Sequence, residues 1–192
     1  MSRFEVSEER RDFLKTEVDR LTPQGDSKEL VECLIELSYL AKHVGDGDES
    51  FVSSHKYGIN AANMAHRLDE KELLGIALRY ASVPFVGADC ETMLKKSLEI
   101  FREIGNRKEE AWTIYRMTRA EGVEGYTVEM ALEIFEDVND EGGIAACLIS
   151  LMPRTEENLD RAIAIYKKHG AERDLKMALM MKKCYFPNSL ES

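Results

Sequence analysis

The chain has 192 residues, a length typical of one domain or of one continuous array of repeats. It carries 26 lysines and arginines against 36 aspartates and glutamates, and this net charge of −10 disfavours binding to a nucleic-acid backbone, which needs a basic face. No stretch approaches the roughly 18 apolar residues of a membrane-spanning helix and the first residues lack the apolar core of a signal peptide, so we expect a cytoplasmic protein without membrane contact.

Apolar residues at intervals of three and four predict helices along the whole chain, and no alternating pattern predicts a strand. The predicted helices are 7–21, 27–43, 51–67, 70–82, 90–104, 107–120, 127–138, 142–151, 156–168 and 171–184. Residues that can cap a helix stand at several of the predicted starts, namely Ser7, Asp26, Asp69, Asn106 and Thr155. The segments GDGDES (45–50) and VPFVGAD (83–89) predict breaks between helices.

One phrase occurs in variant forms, for example as SLEIFREIGNRKEEA (97–111) and ALEIFEDVNDEGGIA (131–145). Its large residue aligns with an alanine in the earliest copy, at spacings of 36, 34 and 31 residues: Ala65, Phe101, Phe135 and Tyr166. Four positions earlier stand small residues, Ala61, Ser97, Ala131 and Ala162, and three positions later stand Leu68, Ile104, Val138 and His169. Because these spacings keep all three positions on one helix face, we expect the small residue to admit a neighbouring helix and the larger ones to fill the space beside it.

A polar turn and a second helix follow each phrase, so the unit is a helix, a turn and a helix repeated at about 34 residues. In the second helix one column again holds mostly small residues, Gly75, Ala111, Ala145 and Lys176. One helical hairpin cannot bury its own apolar stripe, and stacked neighbours bury it instead. The repeat therefore predicts an array of stacked helical hairpins.

The small–xxx–aromatic–xx–apolar pattern, followed by a polar turn such as IGNRKEEA, resembles the tetratricopeptide-repeat family over roughly 26–184. The family's tryptophan, leucine, glycine and tyrosine signature is absent from the first helix of each repeat. The resemblance implies an all-α fold, a right-handed α-solenoid of antiparallel helical hairpins, in a single domain over 1–192. Within it, 7–21 would form an N-terminal lid helix, 26–170 about four hairpins, and 171–185 a C-terminal capping helix.

In tetratricopeptide repeats the first helix of each hairpin lines a concave groove that receives a peptide or a helix. Carried over by position, the resemblance implies groove residues on three helices: Trp112, Tyr115 and Arg119; Ile76, Arg79 and Val83; and Ala146 and Ile149. Aromatic and arginine side chains are common at interface centres because they combine large contact area with directional bonds. The alternative is that Trp112 and Tyr115 are simply buried between helices.

The histidines and cysteines form no catalytic or metal-binding motif. His55 and His66 share a helix face but are three turns apart, and the cysteines are too dispersed for a CxxC pair, which favours reduced thiols. The loop 46–50 begins like a calcium-binding loop, but Phe51 and Tyr57 stand where glycine and a bidentate glutamate are needed. No nucleophile elbow is present, so we expect no catalytic residues, no metal and no cofactor.

These observations favour a non-catalytic scaffold or adaptor that receives a peptide or helix of a partner protein. Two alternatives stay open: a ligand- or peptide-responsive regulator of helical-repeat type, and a helical enzyme or small-molecule carrier. A second candidate surface lies near the C-terminus, where several bases neighbour the methionine-rich MALMM (177–181): Lys167, Lys168, Arg173, Lys176, Lys182 and Lys183. We expect this methionine-rich helix to be either a terminal cap with its methionines turned inward or the contact of a homodimer.

Overall fold

The computed structural model describes residues 6–44, 48–82 and 88–187, with the backbone alone at 48–50 and 88. In these ranges the chain forms ten α-helices and one 3-10 turn, Thr22–Gln24, without any strand. The helices are α1 (Glu8–Leu21), α2 (Lys28–Val44), α3 (Asp48–Arg67), α4 (Lys71–Ala81), α5 (Ala88–Glu103), α6 (Arg107–Met117), α7 (Val128–Asp137), α8 (Glu141–Ser150), α9 (Glu156–Lys168) and α10 (Glu172–Tyr185). The all-α prediction is confirmed over these residues, and every predicted helix end lies within three residues of the observed one.

Parts of two predicted breaks, 45–47 and 83–87, lie outside the described residues, and Val83 falls in the second of them. The calcium-like loop 46–50 is described only by its backbone from residue 48, where α3 has already begun. No helix in the described part combines the length and the apolar character that crossing a membrane requires.

Side-chain caps explain where several helices begin. The side-chain oxygens of Ser7, Asn106 and Thr155 accept hydrogen bonds from backbone N–H groups three residues later, at 3.1, 3.1 and 3.2 Å, as predicted. The predicted cap Asp26 is wrong, because Ser27 accepts from the N–H of Leu30 at 3.2 Å. Asp26 is instead held by an ion pair with Arg67 in α3, whose guanidinium lies 2.5 Å from its carboxylate.

The predicted cap Asp69 is also wrong, and the reason lies in the turn to which it belongs. The N-cap position of α4 is Glu70, which makes no side-chain cap bond. Asp69 adopts a left-handed backbone conformation, with φ of 56°. A residue so placed ends the preceding helix α3 instead of starting the next one.

The same turn recurs four times along the chain. The residue four positions after each member of the aligned large-residue column has a positive φ between 55° and 69°: Asp69, Gly105, Asn139 and Gly170. The next N–H then donates to the carbonyl of the column residue itself, at 2.9 to 3.0 Å in all four turns. This six-to-one hydrogen bond is that of a Schellman motif, which satisfies the free carbonyls at a helix end. The copies of the repeated phrase therefore share backbone geometry as well as spacing.

Burial follows the repeat. Ala65, Phe101, Phe135 and Tyr166 are buried, and so are the small residues Ala61, Ser97, Ala131 and Ala162. The third column is different, because Ile104 and His169 are exposed while Leu68 and Val138 are half-buried. These four residues stand at the ends of their helices, where the chain turns towards solvent. The prediction that they fill core space is wrong for the two exposed residues.

Close approach between helices depends on small residues opposite the large ones. A β-carbon built on Gly75 in α4 would lie 2.7 Å from the ring of Phe101, and one built on Gly143 in α8 would collide with the ring of Phe135. In the second column Ala111 and Ala145 are buried as expected, whereas Lys176 is exposed, so the pattern does not extend into α10.

The ten helices pack in chain order. Each helix contacts the next one along the chain, and α2, α4, α6 and α8 also contact one another in succession. The buried apolar residues form three clusters that follow the chain, the first between α1 and α2, the second from the end of α1 to α5, and the third from α5 to α10. This serial packing places the even-numbered helices side by side, and they form the wall of the site described next.

Candidate functional site

A groove of about 1210 Å³ runs along the even-numbered helices. Residues of α2, α4, α6, α8 and α10 line it, which is one helix from each successive helix pair and the final helix. Its floor is rich in aromatic side chains, among them Tyr39, Tyr80, Trp112 and Tyr115. Such a wall offers large apolar contact area with polar groups at its edges.

Of the eight residues that the resemblance implied, the structure places six along the groove: Arg79, Trp112, Tyr115, Arg119, Ala146 and Ile149. Val83 lies outside the described residues. Ile76 does not line the groove, because it is only 1% exposed and packs inside the core between α2 and α5. Its position on α4 points it at the neighbouring helices, one turn away from Arg79 and Tyr80.

Trp112 serves both the core and the groove. Its indole packs edge-on against the buried ring of Phe135, with centroids 4.9 Å apart, and against Tyr115 at 5.8 Å. The side chain is nevertheless only partly buried, and its remaining surface faces the groove. The two interpretations of Trp112, buried or groove-lining, therefore describe two faces of one side chain.

Arg79 faces the groove from α4 but its charge is engaged by α6. Its guanidinium donates to the carboxylate of Glu109, and also to the carbonyl oxygen of Glu109 at 3.1 Å. It lies 5.7 Å from the centres of the Phe101 and Tyr80 rings. Arg79 and Glu109 are 7% and 8% exposed, so this ion pair is buried in the floor of the groove and joins two successive even-numbered helices.

A polar network joins α6 to α8 nearby. The hydroxyls of Tyr115 and Ser150 are 3.0 Å apart, and the guanidinium of Arg119 lies 3.5 Å from each. The same guanidinium stacks over the Tyr115 ring at 5.7 Å. The aromatic ring and the hydroxyls hold Arg119 in place while leaving its charge exposed to the groove.

One end of the groove concentrates positive charge from three helices: Lys42 from α2, Arg116 and Arg119 from α6, and Arg173 from α10. The pKa of Lys42 is lowered to about 8, first because the groove walls displace bulk water and then because Arg116 and Arg119 lie close. In the part of the chain that the structure describes, none of Lys42, Arg119 and Arg173 forms an ion pair.

His43 connects the two ends of the helix series. Its Nδ1 atom lies 3.3 Å from the guanidinium of Arg173, although 130 residues separate them in the chain. Burial, Arg173 and Lys42 together lower the pKa of His43 to about 4, so the imidazole is neutral at neutral pH. Helices α2 and α10 therefore approach each other across the groove.

Sequence reasoning missed Lys42, His43 and Arg116, and it placed Arg173 on a separate C-terminal surface. That surface is partly neutralised, because Lys168 pairs with Glu141 at 2.7 Å and Lys182 pairs with Asp160 at 2.6 Å. The available signal was the positive charge in the last turn of α2 and α6, but nothing local in the sequence says that these turns meet α10.

The cysteines, His55 and His66 do not line the groove. Cys90 and Cys147 are buried, and burial raises the pKa of the Cys147 thiol to about 12. Cys184 is exposed. Over the described residues, no three histidine, cysteine, aspartate or glutamate side chains are placed to hold a metal ion together.

Comparison with known proteins adds no relative to this description. No protein-family model matches the chain. A search of curated proteins likewise finds no match of significance. The resemblance to tetratricopeptide repeats thus rests on the repeated residues themselves, and the function has to be inferred from the groove.

Proposed function

We propose that this protein is a non-catalytic scaffold that receives a segment of a partner protein in the groove along its even-numbered helices. The fold that accompanies this proposal is a right-handed solenoid of antiparallel hairpins of tetratricopeptide type. In it, α1 serves as a lid over the first hairpin and α10 as a terminal cap.

The observation that carries the proposal is that successive helix pairs contribute to one continuous groove. Aromatic side chains from α2, α4 and α6 line it together with arginines, and these residue types supply most of the binding energy in protein interfaces. Pockets for small molecules usually measure about 300 to 1,000 Å³. A groove of about 1210 Å³ with several aromatic rings suits a peptide segment better than a single small ligand.

The test is a selection of random displayed peptides on the wild-type protein, followed by calorimetric titration of the best enriched peptide. The groove is then blocked by Ala146→Trp, because Ala146 lies half-buried on the groove side of α8. The matched control is Ala164→Trp, since Ala164 is exposed on α9 and does not line the groove. Filling the groove is preferable to truncating Trp112, whose removal would also disturb its packing on Phe135.

We expect Ala146→Trp to weaken peptide binding on the order of tenfold or more, because added bulk excludes the ligand from a packed interface centre. Ala164→Trp should bind as the wild type does, and both variants should keep a helical circular-dichroism spectrum. If no peptide is enriched, or if both tryptophan variants bind equally well, the scaffold proposal is wrong.

A further inference from the structure

We propose that the segment received in this groove is acidic, with aspartate or glutamate carboxylates paired to Lys42, Arg119 and Arg173. This inference rests on the proposed function, and it names the chemistry of the partner that the groove selects.

These three cations differ from many of the protein's other basic residues in their pairing with carboxylates. The chain has a net charge of −10, and many of its described lysines and arginines form ion pairs with carboxylates. Lys42, Arg119 and Arg173 form none within the described residues, although they come from three different helices and line one cavity. Like charges converging in a groove repel one another, so an anion that enters is attracted by all of them.

The acidic residues that share the groove have other partners or stand on α10. Glu109 is held by Arg79, and Asp140 lies 2.8 Å from the ammonium of Lys108. Glu72 accepts a hydrogen bond from the amide of Asn106 at 3.2 Å. The remaining lining acids, Glu172 and Asp174, flank Arg173 in the first turn of α10, and in the described residues neither forms an ion pair with it. No carboxylate that lines the groove in this part of the chain is therefore paired with Lys42, Arg119 or Arg173.

Arg119, one of the three cations, lies beside aromatic surface. Arg119 is held over Tyr115 by stacking and by the hydroxyls of Tyr115 and Ser150. Trp112 lies next to Tyr115 on the same helix face. A fixed guanidinium loses little freedom when it pairs with a carboxylate, and the rings offer contact for an apolar residue beside it. The preferred segment then combines carboxylates with a neighbouring aromatic or aliphatic side chain.

Charge also favours an acidic peptide over a nucleic acid. A nucleic acid carries charge along its whole length, and beyond the groove it would face the surface of a protein with a net charge of −10. A short acidic stretch places its charge only where the cluster lies. The groove is also bounded at this end by α2 and α10, which meet through His43 and Arg173.

The peptide selection described above tests the inference through the composition of the enriched sequences. We expect enrichment of aspartate and glutamate over the starting library, and binding of the best synthetic peptide should weaken as salt is raised because screening shortens the reach of charge. The variant Lys42→Glu should reduce affinity on the order of tenfold to a hundredfold through like-charge repulsion. Its matched control is Lys96→Glu, which makes the same change in net charge at an exposed residue of α5 away from the groove.

A charge exchange supplies the positive control. A peptide in which the acidic residues are replaced by lysine should bind Lys42→Glu better than it binds the wild type. Lys42 lies outside the core and forms no ion pair within the described residues, so the variant should fold, and Arg173→Glu provides a second reversal from another helix.

The outcomes separate this inference from the scaffold proposal. The selection could enrich peptides without acidic residues whose binding is weakened by Ala146→Trp but unchanged by Lys42→Glu and Arg173→Glu. That result would overturn the acidic partner but would still support the scaffold proposal. No enriched peptide at all would overturn both. A short single-stranded oligonucleotide could displace the selected peptide at a lower concentration than unlabelled peptide does. That result would identify a nucleic acid, not an acidic peptide, as the preferred ligand.

Discussion

Two regions of the same groove differ in whether their basic side chains are paired with carboxylates. At its centre, Arg79 of α4 and Glu109 of α6 form a buried ion pair with additional bonds to backbone oxygen. At its positive end, Lys42, Arg119 and Arg173 face the same cavity without a carboxylate partner in the described residues. The two opposite charges at the centre hold α4 and α6 together, whereas the like charges at the end repel one another.

The difference indicates which charges serve the fold. A buried pair that is fully hydrogen-bonded satisfies both groups and fixes the relative position of the helices that carry it. Converging cations repel one another and raise the free energy of the folded state, and a bound anion would offset that cost. Substitutions at the centre should therefore affect stability, and those at the end should affect binding more.

The largest effect is expected from Arg79→Ala. Removing the guanidinium takes away the partner that α4 supplies to the buried Glu109 carboxylate, which should lower the free energy of unfolding by about 3 to 5 kcal/mol. Urea denaturation followed by circular dichroism measures the change. The control is Arg161→Ala, whose exposed pair with Glu136 at 2.8 Å should contribute at most about 1 kcal/mol.

The double variant Arg79→Met with Glu109→Leu sharpens this test. Because apolar residues of similar size leave no buried charge behind, the double variant should be more stable than Arg79→Ala. A cost for Arg79→Ala no larger than that of Arg161→Ala would show that the central pair does not hold the helices together, and the comparison would fail.

A second prediction concerns acid stability and His43. Its folded-state pKa of about 4 lies below its ordinary value of 6.5, so between these values the unfolded chain binds more protons. The stability that depends on neutral His43 is then fully present above pH 6.5 and is lost as the pH falls towards 4. Since the imidazole is partly open to water, which screens its charge, we expect this loss to be about 1 to 2 kcal/mol.

His43→Gln should remove that part of the pH dependence, measured as the difference in unfolding free energy between wild type and variant across the same window. The control is His66→Gln, because His66 is exposed on α3 and does not line the groove. If the free energy of unfolding of wild type and His43→Gln depends on pH in the same way, the contact between α2 and α10 does not disfavour protonation of His43.

The helices and their turns could be predicted because their causes are local. Periodicity fixes the ten helices, and the spacing of small and large residues gives the buried columns from Ala61 to Tyr166. Even the left-handed turn positions are visible afterwards as Asp69, Gly105, Asn139 and Gly170. The caps at Asp26 and Asp69 were wrong because an adjacent residue or the preceding helix end made the better hydrogen bonds.

The chemistry of the groove could be predicted only in part. Spacings of three and four place Trp112, Tyr115 and Arg119 on one face of α6, and that face does line the groove. The burial of Arg79 depends on Glu109, 30 residues away, and the position of Arg173 depends on His43, 130 residues away. Such contacts follow from the angles between successive helices, which no local pattern in the sequence encodes.

The smallest effect expected on stability is a gain, from Lys42→Gln. Lys42 has a folded-state pKa of about 8 against an ordinary value of 10.5, so wild-type stability should rise with pH between these values as the unfolded chain binds the extra proton. At neutral pH the uncharged glutamine avoids the cost of holding a charge between the groove walls and the repulsion of Arg116 and Arg119, and after solvent screening the gain should be about 1 kcal/mol. Above pH 10.5 wild type and variant should converge.

The matched change Lys96→Gln, on the exposed face of α5, should leave stability within about 0.5 kcal/mol of wild type at every pH. The same Lys42→Gln protein, more stable than wild type, should bind an acidic peptide more weakly, because the charge that costs stability is the one that attracts the ligand. A variant that gains stability and keeps full affinity would show that Lys42 is merely a strained surface charge, and the positive end of the groove would then have no separate role from its centre.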